Sequence, residues 1–563
     1  MFKVQQSSLP DPDRGFDYFT MNVNIRGGAS ATFNLEYQEL LQRRDELYMQ
    51  RISVEPRQIV ESLRVEVLLY EPQGIVDLHV QEPTFSNSLT PQDTAIERPS
   101  RTFHHIVYEP SAERQRLLDE SGYLGDFVLH YDVAEREDLG YVVRSGDYFA
   151  HFFSVPEAGL DVLDKNVVFV MDISGSMGGR KIEQTRSAMT TILSQLSAKD
   201  NFAMIFFDDR QLYWPEERHL VSGHGDNIAQ AKRAALKNLV ATGSTGMNDA
   251  LVSACRLFRR QESAPGQNTI VFLTDGRATD GETRADAIAS NVVNACGEVT
   301  VFSLGFGFDL DFNLLQKISA RTRGAARRIY DETDASEQLT NFFSEIQSPI
   351  FYNLQFNYPR NYIDRDSLTQ TNFAQFYSGS EVVVGGKVLL DTPTLEVSVS
   401  TQRSSQPDER SMTVGFSSLQ IPDTAAAVAR DDLFMERLYA YLKIKDLLHE
   451  TYALVDKVAI EEREQEALRL SMKYHLVTPL TSLLVVEKQE LDADHGRLES
   501  DYDYDDYAVL RADMVPMDYY DDIALLKPGS NPAYESAAGN LRPTFSMFLA
   551  VLMMSLYYFL FFL

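Results

Sequence analysis

The stretch "VVFVMDISGSMGGRKIEQT", Val167 to Thr185, opens on five apolar residues and then breaks into Asp172, Ser174 and Ser176 at alternate positions. An apolar run of strand length, a Gly-rich polar exit and a helical pattern read together as a buried strand, a turn and a helix. Lys181–Leu196 carries Ile182, Met189, Ile192 and Leu196 along one stripe, as an amphipathic helix requires. The unit recurs downstream. "NFAMIFFDD" reads as a strand before a helix at Asn227–Leu239, "MNDALVSACRLFRR" as a helix before the strand "NTIVFLTDG", and "TRADAIASNVVNAC" as a helix before the strand "VTVFSLGFG". A helix near Leu314 and the short strand "RRIYD" complete the series. Strand-length apolar runs alternating with helices predict a doubly wound parallel sheet covered on both faces, with ligands at the carboxyl ends of its strands.

Upstream, from Phe19 to about Val133, the pattern is one of short strands. "TMNVNIRGGASATFNLEY" reads as two alternating segments joined by Gly27-Gly28, and "ESLRVEVLLYEPQGIVDLHVQEP" and "GDFVLHYDV" continue the series without intervening helices, as expected of a β-sandwich. After about Ser348 β character returns in "SEVVVGGKVLLDTPTLEVSVS", followed by helices expected at Asp423–His449 and Lys457–Tyr474. From Asp492 to Asp522 eleven acids stand against only Arg497 and Arg511, with tyrosines interleaved. That composition predicts a solvated stalk, with sulfated tyrosines capturing a basic partner as its sharper reading. The fold class is therefore multidomain β and α/β: a β-sandwich over 1–135, the doubly wound domain over 160–347, a β plus helical region over 348–488, the stalk over 489–543 and an apolar tail over 544–563.

With 563 residues, 44% of them hydrophobic, the chain can build several cores. Its net charge of −30 argues against nucleic acid as a partner, because phosphate-backbone binding needs clustered Lys and Arg. Cys255 and Cys296 are the two cysteines; they exclude a zinc cluster or C-x-x-C motif and are expected as free thiols, with a single bridge as the alternative. There is no N-x-[ST] sequon, a mild point against a heavily glycosylated secreted chain. The first residues lack the apolar segment of a signal peptide. "MFLAVLMMSLYYFLFFL", Met547 to Leu563, is apolar apart from Ser555 and is expected to attach the chain to a membrane. Two forms fit: a tail-anchored spanning helix, or a glycolipid-anchor signal with Ser536, Ala537 and Ala538 at the cleavage site and a spacer before the tail.

Further oxygen-bearing side chains fall at matching strand ends. "LTDG" places Asp275 at the end of the "NTIVFLTDG" strand, and "ATGSTGMNDAL" places Thr245 on a Gly-rich loop before a helix. Asp172, Ser174, Ser176, Thr245 and Asp275 form a set of two carboxylates and three hydroxyls, with neither His nor Cys. Such a set suits a hard cation, Mg2+ above all and Mn2+ or Ca2+ as alternatives, leaving room for water and for a carboxylate from a partner. A helix N-cap loop would explain one or two of the residues, but not Thr245 and Asp275 along the same edge. Catalytic signals are weaker. "SGHG", with Ser222 and His224, lacks the G-x-S-x-G elbow, and "GFGFD" at Gly305 to Asp309 lacks G-x-G-x-x-G. His104, His105 and His130 sit in strand-rich sequence and read as structural or surface residues. The chain reads as a binding protein and not an enzyme.

The D-x-S-x-S pattern, the Gly-rich Thr loop and T-D-G resemble the metal-ion-dependent adhesion site of von Willebrand factor type A domains, position by position. Beyond the motif, "ATFNLEYQELLQRR", "GDYFAHFFSVPE", "KNVVFVMDISGSMGGRKIEQTRSAMTTIL" and "SMKYHLVTPLTSLLVV" are similar to inter-alpha-trypsin inhibitor heavy chains, from about Phe19 to Val486. That resemblance implies a VIT domain that begins midway, then the type A domain and a C-terminal region. It implies an extracellular matrix or adhesion protein, membrane-attached through its tail, with a signal peptide missing from this sequence. An acidic protein ligand or a matrix component, hyaluronan or chondroitin sulfate among them, would be the partner. Heavy chains that are esterified to chondroitin sulfate carry D-P-H-F, whereas this chain has only "DADHG" near Asp492, so the resemblance does not extend to covalent transfer. Two alternatives stand: a cytosolic tail-anchored VIT and type A scaffold, and a carrier subunit of a serine protease inhibitor complex. No Kunitz-type cysteine pattern is present, so the chain is not itself that kind of inhibitor.

Overall fold

The computed structural model describes residues 40–82, 93–133, 140–155, 162–259, 266–418 and 433–487 with short internal gaps, and the strand segments 3–5, 20–22, 35–38, 510–516, 549–554 and 557–562. They fall into two compact units, one made of 1–152, 417–444 and 464–563, the other of 153–416 and 445–463.

In the first unit the strands are β1 (Leu47–Val54), β2 (Val65–Tyr70), β3 (Ile75–Gln81), β4 (Thr94–Ser100), β5 (Phe103–Tyr108) and β6 (Gly125–Val133). β6 lies between β1 and β3 in one sheet, and β5 lies between β2 and β4 in another. Alternation along the strands sends every second side chain inward. Tyr48, Ile52, Phe127, Leu129 and Tyr131 of one sheet meet Val65, Val67, Leu69, Ile106 and Tyr108 of the other in a single core. The expectation of strands without helices needs one correction: α1 (Ala112–Leu118) intervenes before β6. Ser111 caps it by accepting from the Arg114 N–H at 3.1 Å. Buried Gln115 fixes it in place, accepting from the Val60 N–H and donating to the Val60 carbonyl, each at 3.1 Å. Such a two-way amide bridge satisfies backbone groups that no sheet ladder reaches.

The second unit is built on β7 (Lys165–Asp172), buried along its whole length. After it come α2 (Arg180–Gln195), β8 (Asn201–Phe207), β9 (Gln211–Trp214), α3 (Gly225–Asn238), α4 (Met247–Arg259), β10 (Gln267–Thr274), α5 (Ala285–Cys296), β11 (Thr300–Phe306), α6 (Phe312–Arg321), β12 (Ala326–Ile329) and α7 (Ala335–Ile346). The sheet order is β9-β8-β7-β10-β11-β12. All pairings are parallel except those of β9 and the short Val221–Ser222 strand with β8. Alternate residues of β7 serve opposite faces. Val167, Phe169 and Met171 pack with α2, α3 and α7, while Val168 and Val170 pack with α4, α5 and α6. Each side chain buried this way contributes about 1.5–3 kcal/mol relative to exposure. The chain winds from β7 to β8 on one side and from β10 to β11 on the other, so it reverses between β7 and β10, the place where open sheets of this kind leave a crevice.

Cys255 of α4 and Cys296 of α5 form a disulfide with Cα atoms 4.8 Å apart, which corrects the expectation of free thiols. The two helices pack side by side over the same face of the sheet, a proximity that a sequence separation of 41 does not advertise. After α7 the chain adds β13 (Pro349–Asn357), β14 (Asn372–Tyr377), β15 (Thr394–Arg403) and β16 (Gln406–Ser418), and later α8 (Phe434–Ala453) and α9 (Lys457–Tyr474). β13 pairs antiparallel with β14 and β15, and β15 with β16.

Two expectations near the chain's end change. Leu510–Pro516, inside the expected stalk, is a strand paired with Thr481–Glu487; the rest of the stalk lies outside the described residues. In the tail, Leu549–Met554 and Tyr557–Phe562 are antiparallel strands and not the spanning helix, one of the two forms of attachment expected; the Tyr and Phe residues of the second strand favour that conformation. Among the described residues no helix is long and apolar enough to cross a membrane.

Candidate metal centre

Asp172 ends β7, and Thr274 ends its neighbour β10. The parallel register sets Met171 beside Leu273, which brings the next pair of side chains together. Thr274 Oγ1 donates to Asp172 Oδ2 at 2.5 Å, and the Ser174 N–H donates to Asp172 Oδ1 at 2.7 Å. Both donors are neutral, so the carboxylate is oriented without being neutralised. Asp172 is fully buried, and burial pushes its carboxyl up to about 6, with Asp275 adding repulsion and the Thr274 and Ser174 hydrogen bonds acting the other way.

Ser174 and Ser176 stand on the turn after β7, their hydroxyl oxygens 3.1 Å apart. Ser176 Oγ donates to Asp275 Oδ1 at 2.6 Å. The other oxygen of Asp275, Oδ2, accepts from Lys181 Nζ at 2.7 Å. Thr245 enters from the third side. A Cβ placed on Gly276 would sit 3.5 Å from Thr245 Oγ1 and 3.6 Å from Ser176 Oγ, so both hydroxyls border the same residue. All five sequence-derived residues thus converge on one edge of the sheet; Ser176 is exposed and the other four are buried.

Backbone hydrogen bonds lace the three loops. The Thr242 and Gly175 N–H groups donate to the Ile173 and Gly243 carbonyls at 2.6 and 3.1 Å. Thr279 N–H donates to the Thr245 carbonyl at 3.0 Å, and the Thr245 N–H to Thr279 Oγ1 at 2.8 Å. Asp208, just past β8, supports the Thr245 loop: its carbonyl accepts from Gly246 N–H at 2.9 Å, and its Oδ2 accepts from Thr242 Oγ1 at 3.0 Å. Burial opposes ionisation of Asp208, but hydrogen bonds from Arg210 and Thr242 outweigh it and hold the carboxyl below its ordinary value.

Sequence reasoning missed Thr274, Thr279, Asp208 and Lys181. The acid at the end of "NFAMIFFDD" was a legible signal for Asp208. Nothing in the sequence marks a lysine in a helix's first turn as reaching a carboxylate 94 positions away. His224, flagged beside Ser222, is exposed and precedes α3, while His104 is buried and His105 bonds Glu66 at 2.6 Å.

Among the described residues no cluster of three or more His, Cys, Asp or Glu side chains could hold a metal; the candidate set is two carboxylates with three hydroxyls. It fits a small hard cation. Such a cation takes hard oxygen donors of the kind these residues supply, and Ser174, Ser176 and Asp275 already stand within hydrogen-bond distance of one another. A bound cation would also relieve the repulsion between Asp172 and Asp275.

The profile of the von Willebrand factor type A domain family matches residues 166–345. Inter-alpha-trypsin inhibitor heavy chain H3 of Homo sapiens is 36% identical over 493 residues, covering 85% of this chain and 54% of its own length. Heavy chain H4 of Homo sapiens is 35% identical over 491 residues, covering 85% and 51%. The chain spans about half the length of the curated relatives it matches. Among solved structures, a von Willebrand factor type A protein from Catenulispora acidiphila is 16% identical with a TM-score of 0.40, over 59% of this chain and 84% of that one.

Proposed function

Because the chain is a relative of the inter-alpha-trypsin inhibitor heavy chains and carries a von Willebrand factor type A domain, we propose that it is an extracellular, non-enzymatic adhesion or matrix-binding protein. Asp172, Ser174, Ser176, Thr245 and Asp275 hold a divalent cation, Mg2+ in the first instance, and an acidic group of the partner completes its coordination. The observation that carries this reading is the all-oxygen cluster at the sheet edge, in which Ser176 Oγ lies 3.1 Å from Ser174 Oγ and 2.6 Å from Asp275 Oδ1 while Asp172 is buried beside them. Charge supports it as well. A chain of net charge −30 repels an acidic partner, so attraction needs a local reversal of sign, which a partly exposed divalent cation supplies.

The Cys255–Cys296 disulfide supports a location outside reducing compartments. Ser536, Ala537 and Ala538 ahead of the apolar tail support surface attachment by a glycolipid anchor. A carrier role beside a trypsin inhibitor is the second reading, favoured by the relatives' name.

The test uses the full chain with MgCl2 or MnCl2, and hyaluronan or chondroitin sulfate as carboxylate-bearing probes. Asp172→Ala should abolish calorimetric cation binding and all cation-dependent retention of the probe, with the circular dichroism spectrum unchanged. Retention that persists through both the substitution and chelation overturns the mechanism.

A further inference from the structure

We infer that Lys181 is the specificity-determining residue of the cation site, forcing Asp275 to present a single oxygen and so favouring small octahedral cations over Ca2+. The inference rests on the metal reading of the site given above and deepens it.

The division of Asp275 is the starting observation. Oδ1 accepts from Ser176 Oγ at 2.6 Å, among the hydroxyls of the candidate ligand set, while Oδ2 accepts from Lys181 Nζ at 2.7 Å. The Asp275 side chain is fully buried and that of Lys181 is 24% exposed, so the bond is largely shielded from solvent. Lys181 is the second residue of α2. Its backbone is held by a helix that packs Ile182, Met189, Ile192 and Leu193 into the core under β7, which fixes where the ammonium can reach.

Cation chemistry turns this arrangement into selectivity. Ca2+ takes 6–8 oxygens and commonly uses both oxygens of a carboxylate, whereas Mg2+ requires six in near-ideal octahedral geometry and keeps its waters. With Oδ2 committed to a charge-assisted hydrogen bond, bidentate coordination by Asp275 would first have to break that bond. Asp172 is divided in the same way, between Ser174 N–H and Thr274 Oγ1. Neither carboxylate is free to widen its bite. Lys181 also lowers the negative charge of the site from two to one, which weakens Mg2+ and Ca2+ alike and leaves the discrimination between them to geometry.

Lys181→Met removes the ammonium and keeps the length of the apolar stem; Lys181→Arg restores a cationic donor. Calorimetric titration of the full chain with MgCl2 and with CaCl2 gives the ratio of the two affinities for each variant. Lys181→Met should move that ratio towards Ca2+ by at least fivefold, and Lys181→Arg should bring it back to within twofold of the parent. An unchanged ratio in Lys181→Met overturns the inference and leaves the metal site standing. Absence of any cation binding by the parent chain overturns the site itself, and this inference with it. Should Lys181→Met lose its cooperative thermal transition, Lys181→Leu, which also lacks a donor, answers the same question.

Discussion

Asp172 is the residue on which the site's charge turns. Its carboxyl is raised by burial from an ordinary 3.8 to about 6, so the metal-free folded chain binds a proton more tightly than the unfolded chain. The stabilisation this gives is complete below about pH 3.8 and is lost as pH rises through 6; it amounts to about 3 kcal/mol. In EDTA, the urea midpoint of the parent should therefore climb as pH falls from 7.5 to 5, while that of Asp172→Asn stays flatter. Parallel profiles for the two proteins would sink the claim. The sequence showed the oxygen donors because a carboxylate and two hydroxyls at alternate positions after an apolar run are unusual. It did not show Thr274 or Lys181, whose roles depend on which side chains meet across strands and between helix and loop.

At the scale of elements, the alternation of strands and helices was legible because strands buried on both faces carry unbroken apolar runs such as Val167–Met171 and Ile270–Leu273. Val167–Met171 lies within β7, and the helix expected at Lys181–Leu196 runs Arg180–Gln195. Less legible was α1, a seven-residue helix anchored by Gln115 rather than by an apolar stripe. The loop bearing Thr245 depends on Gly243, whose φ is +68°. A Cβ there would lie 2.5 Å from Asp209 Oδ1 and 2.9 Å from Asp208 Oδ2. Gly243→Ala should cost about 1–3 kcal/mol of stability from backbone strain and weaken cation binding roughly tenfold by displacing the support of a ligand. A denaturation curve and a Mg2+ titration on the same preparation check both; unchanged affinity would separate the loop from the site.

Across the whole molecule, each unit has a hydrophobic core of its own. A cation bound at the edge of the parallel sheet should stabilise the unit that holds it, by about 2.7 kcal/mol at a hundredfold excess over Kd. Scanning calorimetry should show one transition rising with MgCl2 while the other stays in place, and Asp172→Ala should remove the rise; transitions that move together would contradict it. The Cys255–Cys296 bond has a consequence of another kind. The segment it encloses includes β10 and Asp275. A protease that cut the backbone once anywhere inside that segment would leave both fragments tethered, so the strand and its carboxylate would not be lost from the fold. Such a nick would be silent to size until a reductant was added.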